Sequence, residues 1–426
     1  MRGRRLIRSC ALALLLAVAS IGAAGSDIAD AVMKGDTAAV RALLQKKIDV
    51  NAPQADGSTA LHWAVYRDDL DTADLLIRAG ASPRAADGSG VTVLSLAAIN
   101  GNAATIERIL SAGADPNERG PNGETPLMMA ARTGNVGAIK VLLNRGADVN
   151  AKEKLRGTTA LMWAAAYANP TAVEALIGAG AEVGARSNTA PFQRAARDSP
   201  SPAERLLGDA GAGLKDLAAA KPQAAQVQAA LALAAARAPA AATRRESGGL
   251  TPLVFAARQG DIESARILLA AGADVNQVTP DGWSPLLTAT HNRYYRLASF
   301  LLDKGADPNR ANKSGWTPLY LATDNRNVEG GDYPTRIPDM DQLEFIRKLL
   351  DKGANVNARA IDDTETRTHF TGTWLPEDGA TPFLRAALSG DITLMKLLLQ
   401  YGADPKIATR NNTTPLMTAA GMGWVD

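Results

Sequence analysis

Cysteine is nearly absent from this 426-residue chain. Cys10 is the only one, so no intramolecular disulfide can form and a cysteine-rich zinc site is excluded. Histidine is almost as scarce: His62, His291 and His369 lie far apart and leave no compact histidine-based metal motif. Aromatic residues make up 4% of the chain although hydrophobic residues make up 46%, so Ala, Leu and Gly carry the apolar content. A β-sandwich or barrel would lean on aromatic and β-branched side chains. This composition suits close helix packing through small residues instead. Charge of neither sign dominates, with 46 basic residues against 44 acidic ones, which gives no electrostatic preference for nucleic acid. No glycine-rich phosphate loop, nucleophile motif or His-Glu-x-x-His occurs.

The first 25 residues stand apart from the rest. Arg2, Arg4, Arg5 and Arg8 precede an apolar run from Cys10 to Ile21, and Gly22-Ala23-Ala24-Gly25 follows. A basic start, a short apolar stretch and small residues before a polar segment read as a secretory signal peptide. The stretch is shorter than the roughly 20 residues of a membrane span. Export to the periplasm or the outside is therefore expected, with an uncleaved N-terminal anchor as the alternative. Loss of residues 1–25 removes four arginines, no acid and the lone cysteine. The remainder is slightly acidic and thiol-free, as suits an oxidising compartment.

Downstream, one pattern returns again and again. Thr125-Pro126-Leu127, Thr251-Pro252-Leu253, Ser284-Pro285-Leu286, Thr317-Pro318-Leu319, Thr381-Pro382-Phe383 and Thr414-Pro415-Leu416 share it, and Thr59, Thr92 and Thr159 open weaker copies. Leu-Leu-x-x-Gly-Ala-Asp-x-Asn or a close variant follows the copies, as at Leu142 to Asn150. Gly80, Gly113, Gly146, Gly180, Gly272, Gly305 and Gly402 each lie 21 residues after their Thr or Ser. The next Thr usually follows after 12 more, so the period is 33. In period and in both signatures the chain resembles the ankyrin repeat over most of residues 26–426. The resemblance implies an all-α solenoid of helix-turn-helix units joined by β-hairpin-like fingers.

The residues support that reading on their own. Thr is a good N-cap and Pro fits the first helical position, so Thr-Pro-Leu starts a short inner helix. Val/Ile-x-x-Leu-Leu spacing, as in Ile139 to Leu143, gives an outer helix one apolar face. Glycine then supplies a left-handed cap. One unit cannot bury its own apolar face, whereas stacked units can. The finger acids Asp115, Asp148, Asp274, Asp307 and Asp404 recur once per repeat, which points to turn chemistry. Stepping back one period from Thr59 reaches Ser26, where the signal peptide ends.

Three departures break the period. Gly180 to Thr251 is far longer than 12 residues, and the excess, an Ala- and Pro-rich insertion over 187–247, sits inside one finger, with a short helix conceivable over 223–237. Two shorter insertions fall near 327–340 and 362–377. The array thus divides into 26–186 and 248–426. Its last repeat is incomplete at Asp426, as in a truncated chain or one whose end a partner covers.

The resemblance implies function through a surface: a partner protein meets the concave face of fingers and inner helices. The variable positions there include Tyr66, Arg67, Asn100, Arg132, Tyr167, Arg258, Gln259, His291, Asn292, Asp324 and Asn325, with Trp283 and Trp316 before the helix starts. Aromatics and arginine anchor interfaces, and Trp283, His291 and Trp316 fall in adjacent repeats. Packing of the tryptophans between fingers is the competing reading. His62 occupies a position where structural hydrogen bonds between repeats are expected. The expected protein is a non-catalytic scaffold with a protein partner and no cofactor, metal, nucleic acid or membrane, apart from an N-terminal anchor if the signal stays. Two alternatives remain open. One is an enzyme or ligand site built by the insertions, with His369, Asp362 and Glu365. The other is a secreted effector acting on a host protein.

Overall fold

A computed structural model of the chain describes residues 26–191, 246–327, 336–361 and 378–421. Residues 1–25, where a signal peptide is expected, residues 223–237, where a short helix is, and His369, Asp362 and Glu365 lie outside them. The chain divides into two units, residues 1–188 with 249–426, and residues 189–248.

The larger unit is a succession of short helix pairs, inner then outer. The pairs are α1 (Ser26–Lys34) with α2 (Thr37–Gln45), α3 (Ala60–Tyr66) with α4 (Leu70–Arg78), and α5 (Val93–Asn100) with α6 (Ala103–Ser111). There follow α7 (Pro126–Thr133) with α8 (Val136–Asn144), and α9 (Ala160–Ala166) with α10 (Pro170–Gly178). Beyond the smaller unit come α11 (Pro252–Gln259) with α12 (Ile262–Ala270), and α13 (Pro285–His291) with α14 (Tyr295–Asp303). The series continues with α15 (Pro318–Arg326) and α16 (Gln342–Asp351), α17 (Pro382–Leu388) and α18 (Ile392–Gln400), and α19 (Pro415–Ala419).

Local chemistry sets each start. Thr92 Oγ1 accepts from the Ser95 amide at 3.1 Å, Thr317 from Tyr320 at 3.2 Å and Thr381 from Leu384 at 3.2 Å. Such a cap is worth about 1 kcal/mol, which matters for helices of two turns that would not hold alone. Most outer helices start on Asp or Asn, as where Asp69 accepts from the Thr72 amide at 2.9 Å and Asn135 from the Ala138 amide at 2.9 Å. Gly134 ends α7 at φ 75°, and a Cβ there would lie 2.6 Å from the Asn169 carboxamide. Only glycine fits both demands.

Packing completes the stack. The alanine pairs Ala97-Ala98, Ala130-Ala131, Ala164-Ala165 and Ala256-Ala257 are fully buried, so neighbouring inner helices approach closely. Ile106 and Ile109, Ile139 and Leu142, and Leu268 line the outer helices' buried faces. Together they form one apolar cluster running from Ile28 to Ala403. A Leu-to-Ala change in such a core costs about 2–5 kcal/mol.

Fingers are joined by a device that turn chemistry alone did not anticipate. The finger acids do make their turns: Asp115 accepts from the Asn117 amide at 2.9 Å and Asp274 from Asn276 at 2.8 Å. The Asn two residues on then clasps the next finger. Asn117 donates to the Gly146 carbonyl at 2.9 Å and accepts from the Asp148 amide at 2.7 Å. Asn51, Asn150, Asn276, Asn309 and Asn357 repeat both bonds.

The insertions leave the fingers closed. The Asp87 amide donates to the Val91 carbonyl at 2.9 Å across an uninterrupted finger. The Ser187 amide bonds Leu250 in the same way at 3.0 Å, and Ala360 bonds Ala380 at 2.9 Å. The smaller unit opens and closes on a two-stranded antiparallel ladder, β1 (Thr189–Pro191) against β2 (Glu246–Gly248). The finger between Gly146 and Thr159 is one residue longer than an uninterrupted one, and the buried carboxylate of Glu153 fills it, accepting from the Leu155, Arg156 and Thr158 amides. Burial pushes this carboxyl up, but the bonds from Thr158, Arg156 and Leu155 outweigh it and hold the group below the ordinary glutamate range.

Candidate binding surface

The residue four places after each Thr lies on the inner helix, away from the alanine pairs. From α3 to α11 these residues are Trp63, Leu96, Met129, Trp163 and Phe255, all apolar and all half-buried against the main core. Trp63 donates its indole N–H to Gln54 at 2.6 Å and Trp163 to Thr158 at 2.8 Å, both within their own fingers. Beside this row Tyr66 is 63% exposed and Tyr167 is 51% exposed. Arg132 lays its guanidinium over the Tyr167 ring, 5.0 Å from the centroid, in the next repeat. Arg258 and Gln259 are also exposed. The row is absent from the sequence expectation, which looked after the alanine pair. Its signal was a constant offset from the Thr of each repeat.

Other expected contact residues also bond back to the preceding repeat, Arg67 and Asn100 while staying exposed. Arg67 donates to the Met33 carbonyl at 3.2 Å, Asn100 to Val65 at 2.6 Å and Asn325 to Thr290 at 2.7 Å. Each thereby satisfies a carbonyl at the end of the preceding inner helix, where intrahelical donors run out. Asn292 donates to Thr288 within its own helix at 2.9 Å. These bonds give the polar residues at that position a structural task.

Trp283, His291 and Trp316 do come together, as their places in adjacent repeats implied. The Trp283 ring meets His291 edge-on at 5.3 Å and Trp316 at 6.5 Å. Trp316, however, is only 7% exposed and belongs to a second apolar cluster with Leu287, Tyr320, Leu321, Leu384 and Leu388. Asp324 is buried as well and accepts from Arg385 Nε at 3.0 Å. Arg385 also donates to Ser389 at 2.6 Å and to the Asn327 carbonyl at 3.2 Å. Trp316, Asp324 and Asn325, expected at the surface, are thus interior residues, because in α15 and α17 the face that is open earlier in the array is covered.

The segment 336–341 has a defined local task. Tyr294 precedes α14 without a capping oxygen, unlike most outer-helix starts. Asp339 supplies one, accepting from the Arg296 amide at 3.1 Å, while Arg336 sits over the Tyr294 ring at 4.1 Å.

His62 is held as expected. Its Nδ1 lies 2.9 Å from Thr59 Oγ1 and its Nε2 3.3 Å from the Val91 carbonyl of the next finger. Burial depresses its pKa below the usual histidine value, and the Val91 carbonyl only partly offsets this. Among the described residues no cluster of His, Cys, Asp and Glu could hold a metal ion. Nor is any helix there long and apolar enough to cross a membrane.

Comparison with family models agrees with this geometry. A model of three consecutive ankyrin repeats matches residues 94–187, 216–312 and 253–360. A model of many ankyrin repeats matches 28–77, and a single-repeat model matches 378–407. The chain belongs to the ankyrin-repeat family. Its all-α solenoid is the fold that the repeat period implied, and ankyrin repeats suggest a protein-protein interaction scaffold.

Proposed function

We propose that this ankyrin-repeat chain is an exported, non-catalytic scaffold that binds a partner protein through the inner-helix face of its first repeats, between α3 and α11. The observation that carries the reading is the apolar row from Trp63 to Phe255, flanked by the exposed Tyr66 and Tyr167. A fold of this kind buries its apolar side chains in the stack, so a half-open row with exposed aromatics beside it marks an interaction surface. The later repeats, whose equivalent positions are buried, support the stack instead. Export rests on the basic and apolar N-terminus and on a chain that is free of cysteine after residue 10.

Affinity capture with the full chain tests the binding. A partner recovered with the parent and lost with a Tyr66→Ser/Tyr167→Ser double variant of unchanged helical signal supports it; equal recovery with both contradicts it. N-terminal sequencing of the chain recovered from the cells tests export. A start near Ser26 in a periplasmic or secreted fraction is expected, and an intact Met1 in the cytoplasm overturns that part.

A further inference from the structure

The charges beside the apolar row carry information about the partner. Arg132 and Arg258 are both exposed, and neither makes an ion pair with a carboxylate among the described residues. Among the described residues the Arg132 guanidinium rests on the Tyr167 ring and donates to no acceptor. Other cations of the array are paired with carboxylates. Lys348 pairs with Asp303, Arg326 with Asp391 and Arg385 with Asp324. Three carboxylates also lie on the fingers beside the row, each bonded by uncharged donors of its own turn: Asp56 accepts from Ser58, Asp87 from Ser89, and Glu124 from Asn122. They sit at the finger turns, whereas the two guanidinium groups stand at the ends of the inner helices that carry the row. The inner-helix ends from α7 to α11 therefore combine apolar side chains with two exposed guanidinium groups that no carboxylate among the described residues neutralises, while the nearby acids stay at the finger turns.

Resting on the scaffold reading above, we propose that the partner presents an acidic segment that also carries bulky apolar side chains, and that Arg132 and Arg258 select it. Guanidinium matches carboxylate in a two-pronged geometry that an ammonium cannot reproduce. The apolar row supplies the area, and the arginines supply the sign. Packed helices lie about 8–10 Å apart, so Arg132 and Arg258, two repeats apart, stand roughly 20 Å from each other. An extended segment rising about 3.3 Å per residue places its acids about six residues apart. Two arginines flanking apolar rings are a poor match for a nucleic-acid backbone, whose affinity comes from many cations releasing counterions. They also make a poor lipid-headgroup surface.

Selection of a random 16-residue peptide library on the full chain, with binding then measured by fluorescence anisotropy, tests the proposal. Enriched peptides are expected to combine Asp or Glu with Leu, Phe, Tyr or Trp. Arg132→Glu/Arg258→Glu, at exposed positions outside the core, is expected to weaken them at least tenfold, and raising the salt to weaken the parent complex. Neutral or basic peptides that are enriched and lost on Tyr66→Ser/Tyr167→Ser would overturn the acidic-partner inference while leaving the scaffold reading standing. Peptides indifferent to both double variants, or no enrichment at all, would overturn both. Binding to phosphatidylglycerol vesicles or to DNA that depends on Arg132 and Arg258, without acidic peptides, would overturn it in favour of a lipid or nucleic-acid ligand.

Discussion

Arg385 on one inner helix donates to Asp324 on the inner helix before it, at 3.0 Å, with both side chains almost completely buried. Removing one partner of such a pair leaves a charge without compensation and costs about 3–5 kcal/mol, whereas removing both costs far less. Asp324→Asn and Arg385→Met are each expected to lower stability by about 3 kcal/mol in urea unfolding. The double variant should fall short of their sum by at least about 1 kcal/mol. Strict additivity would mean that the two residues act independently.

Clasped fingers make a second prediction. Asn117→Ala removes one bond to Gly146 and one from Asp148. It should cost about 1–2 kcal/mol. Asn144→Ala, at an exposed site of α8 outside the ladder, should stay within about 0.5 kcal/mol. Equal effects in the two variants would remove the ladder from the account of stability.

The depressed pKa of His62 ties stability to pH. The unfolded chain takes up a proton near the ordinary value of 6.5 while the folded chain resists it. The stability from neutral His62 is therefore full above that pH and declines as pH falls toward the folded-state pKa. Melting temperature should drop between pH 7 and pH 5, and His62→Gln should flatten part of that drop. A parallel slope in the variant would show that other groups drive it.

Much of the fold is legible in the sequence, because caps, alanine pairs and left-handed glycines act within a few residues of where they are written. Thr125 and Gly134 announce the ends of α7 without any tertiary knowledge. Less legible is what a variable residue does. Asn325 looks like a surface residue and is buried, and the exposed Asn100 and Arg67 also donate, as it does, to backbone carbonyls 34 or 35 residues earlier. Such a distance becomes a contact only when repeats stack. Trp316 misleads for a related reason: its offset matches that of Trp283, but only Trp316 is enclosed. The apolar row, by contrast, was readable as a constant offset. Asp339 capping the helix after Tyr294 had no sequence signal at all, since the cap comes from 43 residues away.

Site-specific photo-crosslinking tests the central claim, that a partner protein docks on the inner-helix face. Benzoylphenylalanine is placed at Tyr167 on that face, or at the exposed Lys140 on outer helix α8, in cells that make the protein. A crosslinked partner from position 167 and none from position 140 is the predicted result. A partner crosslinked from 140 and not from 167 would contradict the account.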